Sequence, residues 1–297
     1  MRKRNGEVRW EIPLPNLLMD HLSFVREGIL LPGWSNSTRQ IIASARHVCA
    51  KGLYLLSAPT SLKMALLPTY VDRTIWLASY LEELQSLIDM NTFDVITAAQ
   101  YRDLVEKHGI KAIPTMNVFT IKYDGHGDPV RAKSRIVVLG NLDTQDYSKS
   151  DVYAPVASHY AVRFILYLAI RLNRPVKQGD CKNAFVQSKL LEIIVVRPPV
   201  GCPYSKPGSF WLLNKSLYGL RGAPRYWFNL INAALKELNL FPCAHEPCFY
   251  FGHPLPGHPP LYLVIYVDDF IYFSESLEVE RHFEKLLPGK VIVVSWM

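Results

Sequence analysis

Apolar positions along the chain follow two rhythms, and each predicts elements. The stretches Leu261–Val267 and Phe270–Phe273 are continuous runs of apolar, β-branched and aromatic residues. Runs of this length read as buried strands, so the pair predicts a β-hairpin with Val267-Asp268-Asp269 at its tight turn. Elsewhere the spacing is helical. Trp76, Tyr80, Leu84 and Leu87 share one face of a helix, with Glu82, Glu83 and Gln85 on another and Thr74 as its cap. Thr97 and Gln100 form a capping-box pair that opens a second helix, and Gly109 stops it. Met116–Tyr123 and Pro129–Leu139 read as strands around the turn Asp124–Asp128. Phe164–Leu172 predicts a core helix whose role is packing. Val176–Phe185 predicts a strand leading into a short helix. Trp227, Leu230, Ile231, Ala234 and Leu238 form the buried stripe of a helix entered at Pro224. Ser276 is the expected cap of a helix through Leu287, with Glu278 and Glu280 favourably placed in its first turn. Residues 1–72 show neither rhythm for long. Prolines punctuate them, a short amphipathic helix fits around residues 40–50, and the segment is expected to be a leader or linker, partly disordered.

Composition narrows this picture a little. The 297 residues are 49% hydrophobic and 20% charged, which suits a folded protein with a sizeable core. Lys and Arg exceed Asp and Glu by 33 to 26, a formal charge of +7. That excess fits a polyanionic partner such as nucleic acid, and fits solubility charge equally well. The longest apolar runs, Phe164–Ile170 and Leu261–Val267, fall short of the ~18 residues of a membrane helix, so no membrane partner is expected. Five cysteines at irregular spacing do not read as a disulfide framework. Met1-Arg2-Lys3-Arg4 is basic but leads into no apolar core, so it is not a secretory signal.

Three clusters carry candidate chemistry. Asp268 and Asp269 sit between apolar strands, where Asn-Gly or Asp-Gly would make a cheaper turn. Two neighbouring carboxylates there call for a divalent cation, and hard oxygen ligands suit Mg²⁺ or Mn²⁺. A solvent-facing acidic turn is the alternative. Arg131, Lys133 and Arg135 alternate along a predicted strand, so all three point to one face and call for an anion or open water. Cys243, His245, Cys248, His253 and His258 invite a zinc reading, which their loose spacing disfavours.

Several of these stretches resemble one family. Tyr266-Val267-Asp268-Asp269 resembles the signature box of reverse transcriptases. Residues 76–93 resemble the opening of the polymerase domain of copia-type long-terminal-repeat retrotransposons. Asp180-Cys181-Lys182-Asn183-Ala184-Phe185 matches the family's Asp, any residue, Lys-Asn-Ala-Phe. Lys215-Ser-Leu-Tyr-Gly-Leu220, followed by Ala223-Pro224-Arg225 and Trp227, is specific to the copia type. Asp146-Tyr147, Tyr153–Ala157 and Glu246–Tyr250 also match. The resemblance runs from about residue 76 to 285. It departs at Val138-Leu139-Gly140, where the family commonly has Ala-Lys-Gly, and at Gly222, where it usually has Gln.

The resemblance implies an α+β fold: reverse-transcriptase fingers (about 110–160) and a palm (about 161–297) with a split-βαβ antiparallel sheet, within a domain over residues 73–297. It implies a C-terminally truncated chain, with thumb and ribonuclease H absent. The implied activity is RNA-directed DNA polymerisation with two Mg²⁺ or Mn²⁺ ions, an RNA or DNA template with its primer, and deoxynucleoside triphosphates. Asp180 and Asp268 would bridge the metals, Asp269 would be a spectator or bind one ion, and the Cys181 backbone carbonyl would be a further ligand. Lys133, Arg135, Phe185, Tyr218 and Gly219 would meet the nucleotide, with Phe185 rejecting ribose by clash. Gly219 and Gly222 would allow close backbone approach to a ligand. Tyr266, Val267, Arg221 and Arg225 would meet template and primer. The alternative is a relic that binds nucleic acid without polymerising.

Overall fold

The structure is a computed structural model that describes residues 57–70, 72–202 and 204–296, together with two short strands near the start. Most of the expected leader, including the helix around residues 40–50, lies outside the described residues. In chain order the strands are β1 (Arg2–Arg4), β2 (Glu7–Arg9), β3 (Phe93–Ile96), β4 (Ile113–Tyr123), β5 (Pro129–Val138), β6 (Lys177–Cys181), β7 (Val195–Arg197), β8 (Phe210–Leu213), β9 (Leu240–Pro242), β10 (Phe249–Gly252), β11 (Leu261–Tyr266), β12 (Asp269–Ser274) and β13 (Val293–Trp296). The helices are α1 (Leu62–Ala65), α2 (Arg73–Asp89), α3 (Ala98–His108), α4 (Lys149–Val152), α5 (His159–Arg171), α6 (Ala184–Gln187), α7 (Ala223–Glu237) and α8 (Leu277–Leu286). No helix among the described residues is long and apolar enough to cross a membrane.

The chain forms two compact units. The first comprises Met1–Ser86, Met116–Ile136 and Pro198–Phe210. Its centre is α2, whose Trp76, Tyr80 and Leu84 are fully buried, with Trp76 packed edge-on against Phe119 of β4. The helix begins one residue before the expected cap. The Asp72 backbone carbonyl accepts the Ile75 and Trp76 N–H groups, so Thr74 lies inside the first turn. The polar face of α2 is turned to β5. Ser79 Oγ donates to the Ala132 carbonyl at 3.2 Å, Ser134 Oγ donates to Ser79 Oγ, and Arg131 pairs with Glu82 at 3.1 Å.

The second unit comprises Leu87–Thr115, Val137–Arg197 and Trp211–Met297. It holds a six-stranded sheet in the order β13-β6-β12-β11-β10-β9, and every neighbouring pair in it is antiparallel. Helices α5, α7 and α8 supply apolar side chains to its core, among them Ile165, Trp227, Ile231 and Phe283. In the same unit β7 pairs parallel with the first residues of β4 and antiparallel with β8. Helix α3 carries both halves of the expected capping box, and Gly109 ends it at φ 66°.

Two expectations need correcting. Helix α5 is not simply a core element. Ala161, Ile165 and Ala169 are buried, while Tyr160, Phe164, Tyr167 and Ile170 face outward. An unbroken apolar run hides which face is covered, because periodicity alone cannot choose one. At α8, Ser276 occupies the cap position but its side chain makes no capping bond. Glu278 and Glu280 both stand in its first turn as expected, and Glu280 is in addition fully buried. It accepts the Ser274 N–H at 3.0 Å and pairs with Lys177 at 3.1 Å.

Candidate active site

The hairpin β11–β12 forms as its apolar runs predict, with one refinement. Tyr266 pairs with Asp269, so the turn is the two residues Val267 and Asp268, and Asp269 already belongs to β12. Next to it runs β6. Asp180 stands opposite Asp269, Gly179 opposite Phe270, and the Cys181 N–H donates to the Asp268 carbonyl at 2.8 Å. Directly opposed residues of an antiparallel pair share a face, with Cβ atoms about 4.5–5.5 Å apart. Acids that are remote in sequence are therefore brought to neighbouring rungs by backbone pairing alone.

Gly179 pins this register. A Cβ there would lie 2.2 Å from the Phe270 ring, which is buried and crosses the glycine. A slip of one residue would turn Asp180 to the other side of the sheet. All three carboxylates act on the Cys181 thiol. Burial comes first, and the charges of Asp180, Asp268 and Asp269 add to it, pushing the thiol up to about 12.

Whether these residues suit a divalent cation can be judged from donors and placement. The donors are hard oxygens from two adjacent strands and a turn, which is the chemistry Mg²⁺ and Mn²⁺ accept. Each of the three carboxylates lies near enough to Cys181 for its charge to act on the thiol. The set fits in kind. Among the described residues, however, no three His, Cys, Asp or Glu side chains are already drawn together as a metal-holding group. That holds for Cys243, His245, Cys248, His253 and His258 as well: Cys248 is buried, and His253 Nδ1 is bonded to the His258 carbonyl.

Helix α7 reaches the turn from one side. Trp227 donates its indole N–H to the Val267 carbonyl at 2.6 Å. Val267 itself has φ 60° and borders an apolar cleft with Phe185, Pro224 and Trp227. Tyr266 is 54% exposed. Phe185, in α6, packs edge-on against Tyr218 with ring centres 5.4 Å apart. Position 183, before α6, is an Asn at φ 51°, a conformation Asn tolerates better than most residues.

The loop around Tyr218 is laid onto the end of β5. The Val138 N–H donates to the Tyr218 carbonyl at 2.7 Å. Gly219, at φ 87°, has no room for a Cβ, which would lie 2.1 Å from the Val138 carbonyl. The close approach expected of Gly219 and Gly222 is thus made to the chain itself. At Gly222 it is the Tyr226 ring that fills the space, 2.6 Å from where a Cβ would stand. The Tyr226 hydroxyl donates to Glu192, and burial together with that bond raises its pKa. Arg221 lies over the Tyr147 ring at 4.9 Å. Arg225 lies over Phe228 and lines a polar pocket with Asp146, Asp151, Glu192 and Tyr226.

In the first unit the three cations of β5 alternate with buried Ala132, Ser134 and Ile136, as the sequence predicts. Burial lowers the Lys133 pKa, and its cationic neighbours Arg135, Lys122 and Arg131 lower it further. Sequence reasoning missed Glu83. It sits on the face of α2 turned to β5, where burial pushes its carboxyl up to about 7. The Ile136 N–H, Lys133 and Arg135 offset only part of that rise. Its one sequence signal is the spacing of Ser79 and Glu83, a single helical turn apart.

These features meet an independent finding. A family model described as reverse transcriptase (RNA-dependent DNA polymerase) matches residues 99–292. Over 219 residues the chain is 30% identical to the retrovirus-related Pol polyprotein from transposon TNT 1-94 of Nicotiana tabacum, covering 73% of this chain and 16% of that polyprotein. It is 26% identical over 166 residues to the corresponding polyprotein from transposon RE2 of Arabidopsis thaliana, covering 56% and 11%. It is 27% identical over 212 residues to the transposon Ty1-DR5 Gag-Pol polyprotein of Saccharomyces cerevisiae, covering 71% and 11%. The chain thus spans only 11–16% of the length of these relatives. With the match extending from α3 almost to β13, across both acidic stretches and the Lys215–Trp227 segment, the chain belongs to the reverse transcriptase (RNA-dependent DNA polymerase) family and, within it, to the copia-type retrotransposon members.

Proposed function

We propose that this chain is an RNA-directed DNA polymerase that adds deoxynucleotides to a primer held on a template. The observation that carries the reading is the register of β6 against the hairpin. It sets Asp180 opposite Asp269 and ties Cys181 to Asp268 through the backbone. On this reading the six-stranded antiparallel sheet is the palm, of split-βαβ type, and the β4–β5 hairpin belongs to the fingers.

Two divalent ions, when bound, would supply a more acidic primer hydroxyl and neutralise charge on the departing pyrophosphate. The chain's own part is to hold and orient. Asp180 and Asp268 would be the bridging ligands, with Asp269 beside them and the Cys181 carbonyl as a further donor. Phe185, braced by Tyr218, would stand against the sugar and exclude a 2′-hydroxyl by clash. Tyr218 and Gly219 would border the nucleotide. Tyr266, Val267, Arg221 and Arg225 would lie along template and primer. Lys133 and Arg135 would take triphosphate charge, a role that comes from the family resemblance alone. Binding of the duplex would be mostly to its backbone, falling with salt and indifferent to sequence.

A second reading, nucleic-acid binding without polymerisation, draws on one observation. The family's usual Gln is Gly222 here, and the Tyr226 ring occupies the space of its side chain. One assay separates the two. The purified chain should extend a primer on an RNA template in the presence of Mg²⁺, and Asp180→Asn or Asp268→Asn should each reduce extension by roughly a hundredfold or more. Duplex binding with no extension by the unsubstituted chain would favour the second reading.

A further inference from the structure

We propose that Trp227 is a positioning residue for the acidic turn, holding Val267 in a conformation the turn would otherwise leave. Val267 is the first of the two turn residues, with φ 60°, and Asp268 is not among the positive-φ residues. That is the pattern of a II′ turn, which ordinarily has Gly at this position. For a β-branched residue the left-handed region is an outlier, and such strain persists only where the surroundings over-determine it.

Here the surroundings do so at both turn carbonyls. The Val267 carbonyl accepts the Trp227 indole N–H at 2.6 Å, and the Asp268 carbonyl accepts the Cys181 N–H at 2.8 Å. Trp227 is itself 2% exposed and fixed in α7, so its N–H comes from a rigid donor. Val267 also borders an apolar cleft together with Trp227, Pro224 and Ile265 and is half-buried there. Glycine would relieve the strain. With valine in its place, the indole bond keeps the peptide from rotating back. Because Asp268 follows directly, the same bond fixes where its carboxylate starts.

The catalytic meaning of that carboxylate rests on the polymerase reading; the coupling between Trp227 and the turn does not. The test therefore uses the full chain without metal or nucleotide. Hydrogen exchange of the Cys181 amide, whose acceptor is Asp268, reports opening of the turn. Trp227→Phe keeps a ring and removes the donor, and it should raise that exchange roughly three- to tenfold. In a Val267→Gly background, where no left-handed cost has to be held, the same change should raise it by less than about twofold. Ile231→Val, which trims the same cleft without touching the bond, should leave the amide unchanged. An equal rise in both backgrounds would mean that Trp227 acts by packing alone, and no rise in either would mean that its bond holds nothing. Should Trp227→Phe fail to fold, the unsubstituted chain still decides: its Trp227 indole N–H should exchange slowly, and exchange at the rate of a free indole overturns the proposal. A chain that shows the coupling but extends no primer would refute the polymerase reading and leave the positioning role intact.

Discussion

The acidic hairpin and the basic strand are both rows of like charge, yet they are built in opposite ways. The three cations of β5 come from one strand, placed on one face by simple alternation. The three acids come from two separate stretches, and only the pairing of β6 with β12 makes them neighbours. The counter-charge differs too. Beside β5, α2 contributes Glu82, bonded to Arg131, and the buried Glu83. Around the acids of the hairpin the placement is set by main-chain bonds and by the Phe270 ring over Gly179. A charge row made by alternation can be tuned one side chain at a time. One made by register stands or falls with the sheet.

The largest effect is expected on the basic row. Lys133→Ala and Arg135→Ala should each raise the KM for deoxynucleotides about ten- to a hundredfold, since charge-assisted bonds to phosphate are worth about 1.5–3 kcal/mol. A KM unchanged in both variants would reduce the row to a solvated strand face.

Glu83 gives a smaller effect with a defined sign. Its folded pKa, about 7, lies above its ordinary value of 4.5. The folded state therefore binds the proton more tightly than the unfolded one, and the carboxyl costs stability progressively as pH rises through that window. Glu83→Gln stays neutral. It should match the parent near pH 4 and exceed it by roughly 1–3 kcal/mol at pH 8, read from denaturant unfolding at the two pH values. A difference that does not change with pH would show that Glu83 is not charged and buried as described.

The smallest expected effect concerns Phe185. Replacing it with Ala should raise ribonucleotide incorporation relative to deoxynucleotide by about tenfold, measured as a ratio of kcat/KM values. Unchanged sugar discrimination would leave the ring as packing against Tyr218.

What could be read from the sequence follows the same division. The hairpin, the capping box at Thr97, the alternation of Arg131, Lys133 and Arg135, and the stripe of α7 are local rhythms, and local rhythms were legible. The resemblance added Asp180, which as an isolated residue is an ordinary capping aspartate. Long-range facts were not legible. Nothing in the chain announces that Phe270 crosses Gly179, that the Tyr226 ring covers Gly222, or that the Trp227 N–H reaches the Val267 carbonyl. Glu83 reads as one more polar residue on a helix until β5 is set beside it. The outward face of α5 was hidden for the opposite reason, since its sequence is apolar on every side.

On the proposed polymerase reading Asp180 and the hairpin acids would bind divalent cations as one set, which Mn²⁺ titration followed by paramagnetic broadening can check. Mn²⁺ should broaden the backbone signals of both Cys181 and Asp269, and Asp180→Asn or Asp268→Asn alone should abolish the broadening at both. Broadening at the hairpin that survives unchanged in Asp180→Asn would contradict binding as one set.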